Sequence, residues 1–405
     1  TNLVVAGASN GYGLTGNGMI IGEWDGGSVL GTHQELIGRI TQVDNPSSNS
    51  DHSTHVAGTM IASGVVANAK GMATAATISA HDFYSDDSEM TTFATAGLIS
   101  NHSYGRISGW YERSNGDWRW YGDTTISGVE DYMYGFYSSN ARSWDLIANA
   151  APNYLIVKSA GNDRNDEPPS SLTSHFVQAG FNNWVSSTIS RPADGGTDGY
   201  DCISSSGNAK NILTVGAVGD IPGGWTQPSD VNMSSFSGWG PTDDGRIKPD
   251  IVANGVSLYS TGKDNNTDYY SSSGTSMSAP NATGSMALLQ EMYNDSNNTY
   301  MNASSLKALV IHTANEAGLT GPDFKFGWGL LNVKGAADVI ADTSSNKIIE
   351  ASLSNNGTDT YTFYSDGTTD IEATIVWNDP AHSVPSASLD PTTTMLVNDL
   401  DLRIS

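Results

Sequence analysis

Two kinds of apolar pattern alternate between about residue 18 and residue 315. Four apolar runs rich in β-branched residues end in loop residues, and a continuous run of this kind is typical of a strand buried on both faces. Helical stretches lie between and after them. This alternation predicts an α/β fold, a mostly parallel sheet with helices on both faces. The predicted strands are 18–24, 76–83, 153–161 and 211–218, and the predicted helices include 145–151, 284–293 and 304–314.

The pattern changes after residue 341. The stretch 346–379 alternates apolar and polar residues between Asn-Gly and Asp-Gly pairs, which is typical of β-hairpins. We therefore predict two domains: 1–341, the mostly parallel α/β domain, and 342–405, a smaller antiparallel β domain. The second stretch is short for a complete sandwich, so this β domain is either small or truncated at Ser405.

The chain is strongly acidic. It holds 18 Lys and Arg against 43 Asp and Glu, a net charge of −25, so nucleic acid and anionic membrane surfaces should repel it. Acidity of this kind serves solubility, or it supplies oxygen ligands for calcium. We expect calcium as a structural ion without assigning its sites. The acidic loops 162–170, 194–201 and 398–402 are candidates, although each is also typical of a solvated loop.

Other compartment signals are sparse. Cys202 is the single cysteine, which excludes an internal disulfide and is typical of a small core residue. No apolar run approaches the length of about 20 residues that a membrane span needs, so we expect no membrane partner. The chain begins at Thr1 rather than Met, which we interpret as a processed or trimmed form.

Four polar residues stand where an acyl-transfer site would need them. Asp25 and Asn162 end buried strands, and strand carboxyl ends gather at one edge of a parallel sheet. Ser276 lies in a Gly/Ser loop that enters a helix, whose N-terminus favours a developing oxyanion. A serine hydroxyl also needs a neutral imidazole as base and a carboxylate to orient that base. The stretch "DHSTHVAGTM" supplies His52 and His55.

Two histidines on one helix also suggest a metal site. Zinc peptidases carry His-Glu-x-x-His, with ligands at i and i+4 and a catalytic Glu between them. Here His52 and His55 are spaced i and i+3 with no Glu between them. The spacing therefore favours a catalytic base over a metal ligand pair.

Three motifs resemble those of the subtilisin-like serine proteases, the subtilases: "HSTHVAGT", "SAGN" and "GTSMSAP". "THQEL" (32–36), "NHSYG" (101–105) and "FGWGLLN" (326–332) support the resemblance, which covers about 1–340. The family implies a secreted, monomeric serine endopeptidase that cleaves proteins or peptides through an acyl-enzyme. It also implies the roles: Ser276 as nucleophile, His52 as base, Asp25 as its orienting carboxylate and Asn162 as oxyanion donor. His55 is then a packing residue.

The same resemblance implies a substrate groove. Its two walls would bind the peptide by strand addition. A plain core position is the alternative for the aromatic residue among them. The implied groove residues are Ser103, Tyr104, Gly105, Ser159, Ala160 and Gly161.

Some stretches depart from the family pattern. Gly26 follows Asp25 where Ser or Thr is usual, and the loop 63–70 has the length of a family calcium loop but few oxygen side chains. The insertion 106–144 carries Trp residues that form either an aromatic extension of the substrate site or a small core of their own. The rival function is a binding protein on an inactive protease scaffold, which the intact catalytic positions disfavour.

Overall fold

The structure, a computed structural model, describes residues 1, 3–5, 11–180, 183–344, 347–368 and 370–404. Within these residues the largest element is a seven-stranded sheet in which every pair of neighbouring strands is parallel. Its strands are β1 (Ile20–Asp25), β2 (Ile40–Gln42), β3 (Thr77–Asp82), β4 (Ile99–His102), β7 (Leu155–Ser159), β10 (Leu213–Val218) and β11 (Ile251–Asn254).

The remaining elements flank this sheet or connect its strands. The helices are α1 (Asp51–Ile61), α2 (Asp86–Phe93), α3 (Ser139–Ala150), α4 (Thr275–Asn297), α5 (Ala303–His312) and α6 (Val333–Ala341). The other strands are β5 (Trp110–Glu112), β6 (Trp118–Trp120), β8 (His175–Gln178), β9 (Trp184–Ser187), β12 (Leu258–Thr261) and β13 (Tyr269–Ser272). All four predicted strands and all three predicted helices correspond to observed elements, and the mostly parallel α/β fold class is confirmed.

Both faces of the sheet are covered, as its apolar runs predict. Successive residues of a strand point to opposite faces. Leu155 and Val157 of β7 join a core cluster with residues of α1, α4, α5 and α6. Ile156, between them, joins a second cluster with residues of α2 and α3. This arrangement explains why β7 is apolar at every position from 155 to 157 rather than at alternate ones.

The strand order places a switch point next to β1. Across the sheet the order is β11–β10–β7–β4–β1–β3–β2. The chain therefore extends the sheet to one side of β1 with β2 and β3, and to the other side with β4, β7, β10 and β11. Open α/β sheets carry their sites outside the strand carboxyl ends at such a point, which here is the edge beyond β1 and β4.

The insertion 106–144 forms part of a separate sheet with the later segment 175–187. The order is β5–β6–β8–β9, and Trp110, Trp120 and Val177 are buried together with Trp118 packed against them. Trp144 lies instead in the second cluster of the main core. Of the two interpretations of the insertion, the structure supports the one in which it packs a small core of its own.

The expected strands of the C-terminal stretch are not formed: the described residues 347–368 and 370–404 contain no strand. An isolated hairpin is marginally stable unless a further sheet or helix covers one face, and most of this stretch is exposed. It docks through Asp379, which binds Lys210, and through Met395, buried in the second core cluster. The antiparallel sheets lie before residue 342, residues 345, 346, 369 and 405 lie outside the described residues, and the domain boundary at 341 stays a prediction.

Two smaller expectations concern burial. Cys202 is buried beside Tyr134 and Trp239, as a core cysteine should be, and burial raises the pKa of its thiol to about 12. Across the described part of the chain, no helix has both the length and the apolar character needed to cross a membrane.

Candidate active site

Asp25 is the last residue of β1, at the switch point. Apolar neighbours such as Ile21 and Trp24 bury this strand between β3 and β4, and the carboxylate at its end is only 4% exposed. One carboxylate oxygen of Asp25 accepts a hydrogen bond from the backbone N–H of Gly26 at 2.7 Å. The strand therefore delivers a buried carboxylate to the edge of the sheet with oxygen lone pairs left for a further partner.

The glycine after Asp25 has a packing reason. A Cβ atom on Gly26 would lie 2.9 Å from the ring of Phe83, which is closer than real side-chain contacts allow. A hydroxyl residue at this position would therefore displace the Phe83 ring. Support for Asp25 comes here from the Gly26 amide, so the departure from the family pattern does not leave the carboxylate unsupported.

His52 lies in the first turn of α1 and contacts Asp25. The side chain of Ser50 caps this helix by accepting from the Ser53 N–H at 3.3 Å. The imidazole Nδ1 lies 2.8 Å and 2.9 Å from the two Asp25 carboxylate oxygens. A carboxylate can only accept, so Nδ1 carries the proton and Nε2 presents a lone pair.

Two effects act on the protonation of His52. Burial lowers its pKa, but the negative charge of Asp25 and the hydrogen bond to it raise the pKa more, so the net shift is upward from the ordinary value. Its side chain remains 41% exposed while that of Asp25 is 5% exposed. The pair thus combines a buried orienting charge with an imidazole that substrate and water can reach.

His55 has a different environment. It is buried against the ring of Tyr270, and its Nε2 lies 3.0 Å from the Leu258 carbonyl oxygen. Burial lowers the pKa of His55 to about 4, so it stays neutral at physiological pH. With His52 held by Asp25 and His55 by Leu258, the two rings do not share a ligand position. This geometry favours His52 as a catalytic base over a metal site formed by His52 and His55.

Ser276 lies in the first turn of α4. Its Oγ donates a hydrogen bond to the Ser103 carbonyl oxygen at 3.0 Å, and the Ser103 hydroxyl donates to the Ser276 carbonyl oxygen at 3.0 Å. Ser103 follows His102, which pairs with Trp24 of β1, so this contact brings Ser276 beside the end of the strand that carries Asp25. Among the described residues no hydrogen bond joins Ser276 Oγ to His52, because the hydroxyl donates to the Ser103 carbonyl oxygen instead. Catalytic hydrogen bonds are commonly loose without substrate.

Asn162 presents its amide to the same helix end. Its side-chain oxygen accepts hydrogen bonds from the Thr275 N–H at 2.8 Å and the Thr275 hydroxyl at 2.9 Å, which fixes the oxygen and directs Nδ2 elsewhere. A carbon built as Cβ on Gly274 would lie 3.6 Å from both Asn162 Nδ2 and the Ser276 backbone nitrogen. Both N–H donors therefore border one small space at a helix N-terminus, which is the arrangement an oxyanion needs.

The two segments expected to form the groove continue from neighbouring strands. β4 and β7 pair up to His102 and Lys158, after which 103–105 and 159–161 follow. Gly161 has φ of +100°, a conformation that L side chains rarely adopt. The Tyr104 hydroxyl donates to Asp86 at 2.6 Å, so its ring is held against the protein. The groove assignment stays a prediction.

Comparison with known proteins gives the family. The sequence profile of the subtilase family matches residues 28–329, most of the chain. The chain belongs to the subtilase family. The extracellular serine protease of Serratia marcescens is 26% identical to this subtilase over 80% of this chain and 32% of the relative's length. The subtilase spans about a third or less of the curated relatives it matches.

Solved structures agree with the fold. The CspB protease of Clostridium perfringens has a TM-score of 0.59 and 16% identity, over 84% of this chain and 98% of that one. Fervidolysin from Fervidobacterium pennivorans, a keratinolytic enzyme related to subtilisin, has a TM-score of 0.51 and 21% identity, over 82% of this chain and 44% of that one. At these identities the likeness shows the subtilisin-like fold alone.

The loop 63–70 of this subtilase does not suit a calcium ion. The buried Glu35 carboxylate accepts the backbone N–H groups of Gly64, Val65 and Val66 at 2.7, 3.0 and 2.7 Å. The hydroxyls of Ser63 and Tyr269 add two further bonds at 2.9 Å each. Convergent N–H donors bind an anion and repel a cation. The loop therefore directs its N–H groups at the Glu35 carboxylate, and this carboxylate occupies the position that a calcium ion would need.

Acidic side chains converge elsewhere. Two groups of three carboxylates bring ligand atoms within 4.8 Å of one another: Asp51, Asp264 and Asp268, and Glu130, Asp201 and Asp390. In the first, Lys263 already pairs with Asp51 and Asp264 at 3.2 and 3.0 Å. Of the three acidic loops singled out in the sequence, 194–201 contributes Asp201 to the second group. Within the described residues, 162–170 and 398–402 contribute to neither.

Sequence reasoning missed several residues of this region. Glu35 lies in "THQEL", which marked the family without suggesting a role, and its partners are 28–31 residues away for the loop and 234 for Tyr269. Ser50 as helix cap is a signal that the sequence does offer, since a serine precedes the acidic first turn of α1. The contact between Ser103 and Ser276 has no such local signal.

Proposed function

We propose that this subtilase is a secreted serine endopeptidase that hydrolyses peptide bonds of protein substrates. The observation that carries the proposal is the bond between His52 Nδ1 and buried Asp25, which leaves a partly exposed Nε2 lone pair as base. Ser276 at the N-terminus of α4, with Asn162 beside it, supports a role for the pair in acyl transfer rather than in metal binding.

The first half-reaction forms an acyl-enzyme. Ser276 Oγ attacks the peptide carbonyl carbon while His52 Nε2 takes the hydroxyl proton, and Asp25 stabilises the resulting imidazolium. The carbonyl oxygen becomes an oxyanion in the space between Asn162 Nδ2 and the Ser276 N–H. When the C–N bond breaks, His52 returns the proton to the leaving amine.

The second half-reaction uses the same groups with water. His52 Nε2 removes a proton from a water molecule, whose oxygen attacks the acyl carbon, and the oxyanion again lies between the two N–H donors. Collapse of the intermediate returns the proton to Ser276 Oγ and releases the carboxylic acid. Asp25 keeps its hydrogen bond to His52 Nδ1 throughout, which holds the imidazole in position for both proton transfers.

Substrate would bind in the groove as an added strand. The segments 103–105 and 159–161 leave the sheet edge on adjacent strands, and both contact the first turn of α4: Ser103 through Ser276 and Gly161 through the Thr275 hydroxyl at 3.2 Å. A peptide between them would hydrogen-bond through its backbone, which suits an enzyme that accepts many protein sequences.

Three further proposals concern secretion, calcium binding and oligomeric state. Secretion is supported by the extracellular relative from Serratia marcescens and would be tested by activity in culture fluid. Calcium is proposed as a structural ion outside the 63–70 loop, and a chelator should then lower the midpoint of thermal unfolding. The subtilase is proposed to act as a monomer, which sedimentation would test.

The experiment that tests the activity is labelling with a fluorophosphonate followed by peptide mapping. One adduct on Ser276 is expected, with parallel loss of casein cleavage. Ser276→Ala should label nowhere and lose about 10⁶ in turnover, the magnitude known for subtilisin, a member of the same family, while its circular dichroism stays unchanged. Absence of an adduct on protein shown to be folded would instead support a non-catalytic scaffold.

A further inference from the structure

Lys158 is a buried lysine between the two groove segments. It lies in β7, directly before Ser159, and is only 4% exposed. Its Nζ donates to the Ser159 carbonyl oxygen at 2.8 Å and to the Ser159 hydroxyl at 2.7 Å. An ammonium has three N–H donors, so two neutral acceptors leave one donor free and the charge without a directly bonded carboxylate.

The other buried lysine side chains of the described chain each have a carboxylate partner. Lys248 and Lys307 bind Asp250 at 2.6 and 2.8 Å, and Lys210 binds Asp379. Among the described residues no carboxylate oxygen lies within 4.0 Å of Lys158 Nζ. A buried charge is costly unless it is paired. Lys158, the buried lysine beside the groove, is thus the one that has no carboxylate partner within the described part of the protein.

Two glycines leave open space beside this ammonium. A Cβ atom on exposed Gly105 would have a single heavy-atom neighbour within 4 Å outside its own chain segment, Lys158 Nζ at 3.9 Å. A Cβ atom on Gly161 would meet Asp163 Oδ2 at 3.8 Å and the Cys202 carbonyl oxygen at 3.9 Å. Each glycine thus leaves room beside its backbone for at least one further carbon atom, and Lys158 borders this space from the Gly105 side.

We propose that Lys158 is a specificity-determining residue, and that its ammonium binds the carboxylate of an aspartate or glutamate of the substrate. The proposal rests on the proposed peptidase function. Ser103 contacts Ser276, and Gly161 contacts Thr275. The gap between these segments therefore receives the side chain next to the scissile bond, on its acyl side. A substrate carboxylate in this gap would supply the ion-pair partner that Lys158 lacks among the described residues.

Asp163 is the competing group. It borders the gap from the Gly161 side, and burial, reinforced by Asp166, raises the pKa of its carboxyl to about 7. Burial lowers the pKa of Lys158 to about 7, while Asp163 and Asp25 oppose that change. Below neutral pH the lysine is therefore charged and the aspartate neutral, which is the combination that favours an acidic substrate side chain.

The test uses peptides that are identical except for Glu, Gln, Ala or Lys at the position before the scissile bond. At pH 6.5 we expect kcat/KM for Glu to exceed that for Gln by about tenfold or more, the value of a charge-assisted hydrogen bond. In Lys158→Met the Glu-to-Gln ratio should fall to about one, while cleavage of the Ala peptide changes little. In Asp163→Asn, the matched control, the ratio should change little, because the Asp163 carboxyl is already mostly neutral at pH 6.5.

Several results would overturn the proposal. Equal cleavage of the Glu and Gln peptides by the unaltered enzyme would do so without any variant, which keeps the test valid if Lys158→Met folds poorly. A Lys158→Met variant that loses the Ala and Glu peptides equally would show a structural role. Preference for Lys would point to Asp163 instead. Failure of the peptidase function is distinct: no peptide is cleaved and fluorophosphonate does not label Ser276.

Discussion

Two buried carboxylates ten residues apart in the chain, Asp25 and Glu35, are treated differently by the fold. Glu35 is saturated: three backbone N–H groups and two hydroxyls bind it. Asp25 has the Gly26 N–H and a half-exposed imidazole that itself gains and loses a proton. A carboxylate is therefore structural when fixed donors fill its lone pairs, and functional when its main partner is titratable.

The histidines of α1 repeat the contrast at closer range. His52 and His55 are three residues apart, yet Asp25 raises the pKa of the first while burial lowers the pKa of the second to about 4. Helix position alone cannot account for opposite shifts. What differs is the partner: a carboxylate for His52 and a peptide carbonyl of Leu258 for His55.

The largest effect on the active-site edge is expected from the oxyanion donor. Asn162→Asp keeps an oxygen to accept from Thr275 but removes the Nδ2 donor, so turnover should fall by at least about 10²–10³, as for the corresponding amide of subtilisin. Steady-state kinetics should show the loss in kcat, with KM and thermal stability nearly unchanged.

Asn162→Ala is the companion variant. It removes the acceptor for Thr275 as well, so it should lose stability in addition to turnover. A decrease in turnover of less than tenfold in both variants would mean that Asn162 does not bind the oxyanion. The edge of the sheet beyond β1 would then lack the oxyanion donor that its proposed function needs.

The next effect belongs to the saturated carboxylate. Glu35→Gln places an NH₂ group against the N–H donors of the 63–66 loop, so we expect a loss of about 2–4 kcal/mol in the free energy of unfolding, with kcat per folded molecule unchanged. Urea unfolding measures the loss. Glu112→Gln, an exposed carboxylate in β5, is the control and should be nearly neutral.

The Glu35 contribution has a defined pH dependence. Burial raises the pKa of Glu35, but its hydrogen bonds lower it more, so the net shift is downward. The stability it contributes is therefore present above the unfolded-state pKa and is lost as pH falls through the depressed folded-state pKa. The gap between wild type and Glu35→Gln should close in acid. A chelator that destabilised wild type but not Glu35→Gln would contradict an anion-filled loop.

The smallest effect is expected in the pH profile of kcat/KM, on its acid side. Since only neutral imidazole accepts the Ser276 proton, kcat/KM should fall about tenfold per pH unit below the His52 pKa, with a midpoint above the ordinary value of 6.5 because Asp25 raises that pKa. A peptide without ionisable side chains near the scissile bond isolates this limb from Lys158 and Asp163.

Two variants sharpen this pH measurement. Asp25→Asn should move the midpoint downward, because the carboxylate that raises the His52 pKa is lost. A conservative change at buried His55 should leave the midpoint in place, whatever it does to stability. A profile that stayed flat from pH 5 to 9 in the unaltered enzyme would rule out His52 as the base.

The sequence was informative where burial imposes a pattern. The runs at 18–24 and 153–161 predicted β1 and β7 because strands covered on both faces must be apolar throughout. The same reasoning placed Asp25 and Asn162 at one sheet edge. It failed for 346–379, where alternation indicated strands and the described residues form none, since a strand also needs a partner that alternation does not specify.

The α/β architecture, the family and the candidate triad follow from the amino-acid sequence, because strand periodicity and short motifs are local properties of the chain. Three features become visible only in the folded protein: Nδ1 of His52 faces Asp25, the Glu35 carboxylate binds the N–H groups of the 63–66 loop, and Lys158 is buried without a carboxylate partner. The contacts of His52 and Glu35 join residues from 27 to more than 200 positions apart. No local sequence pattern encodes the direction of such contacts or their burial from water.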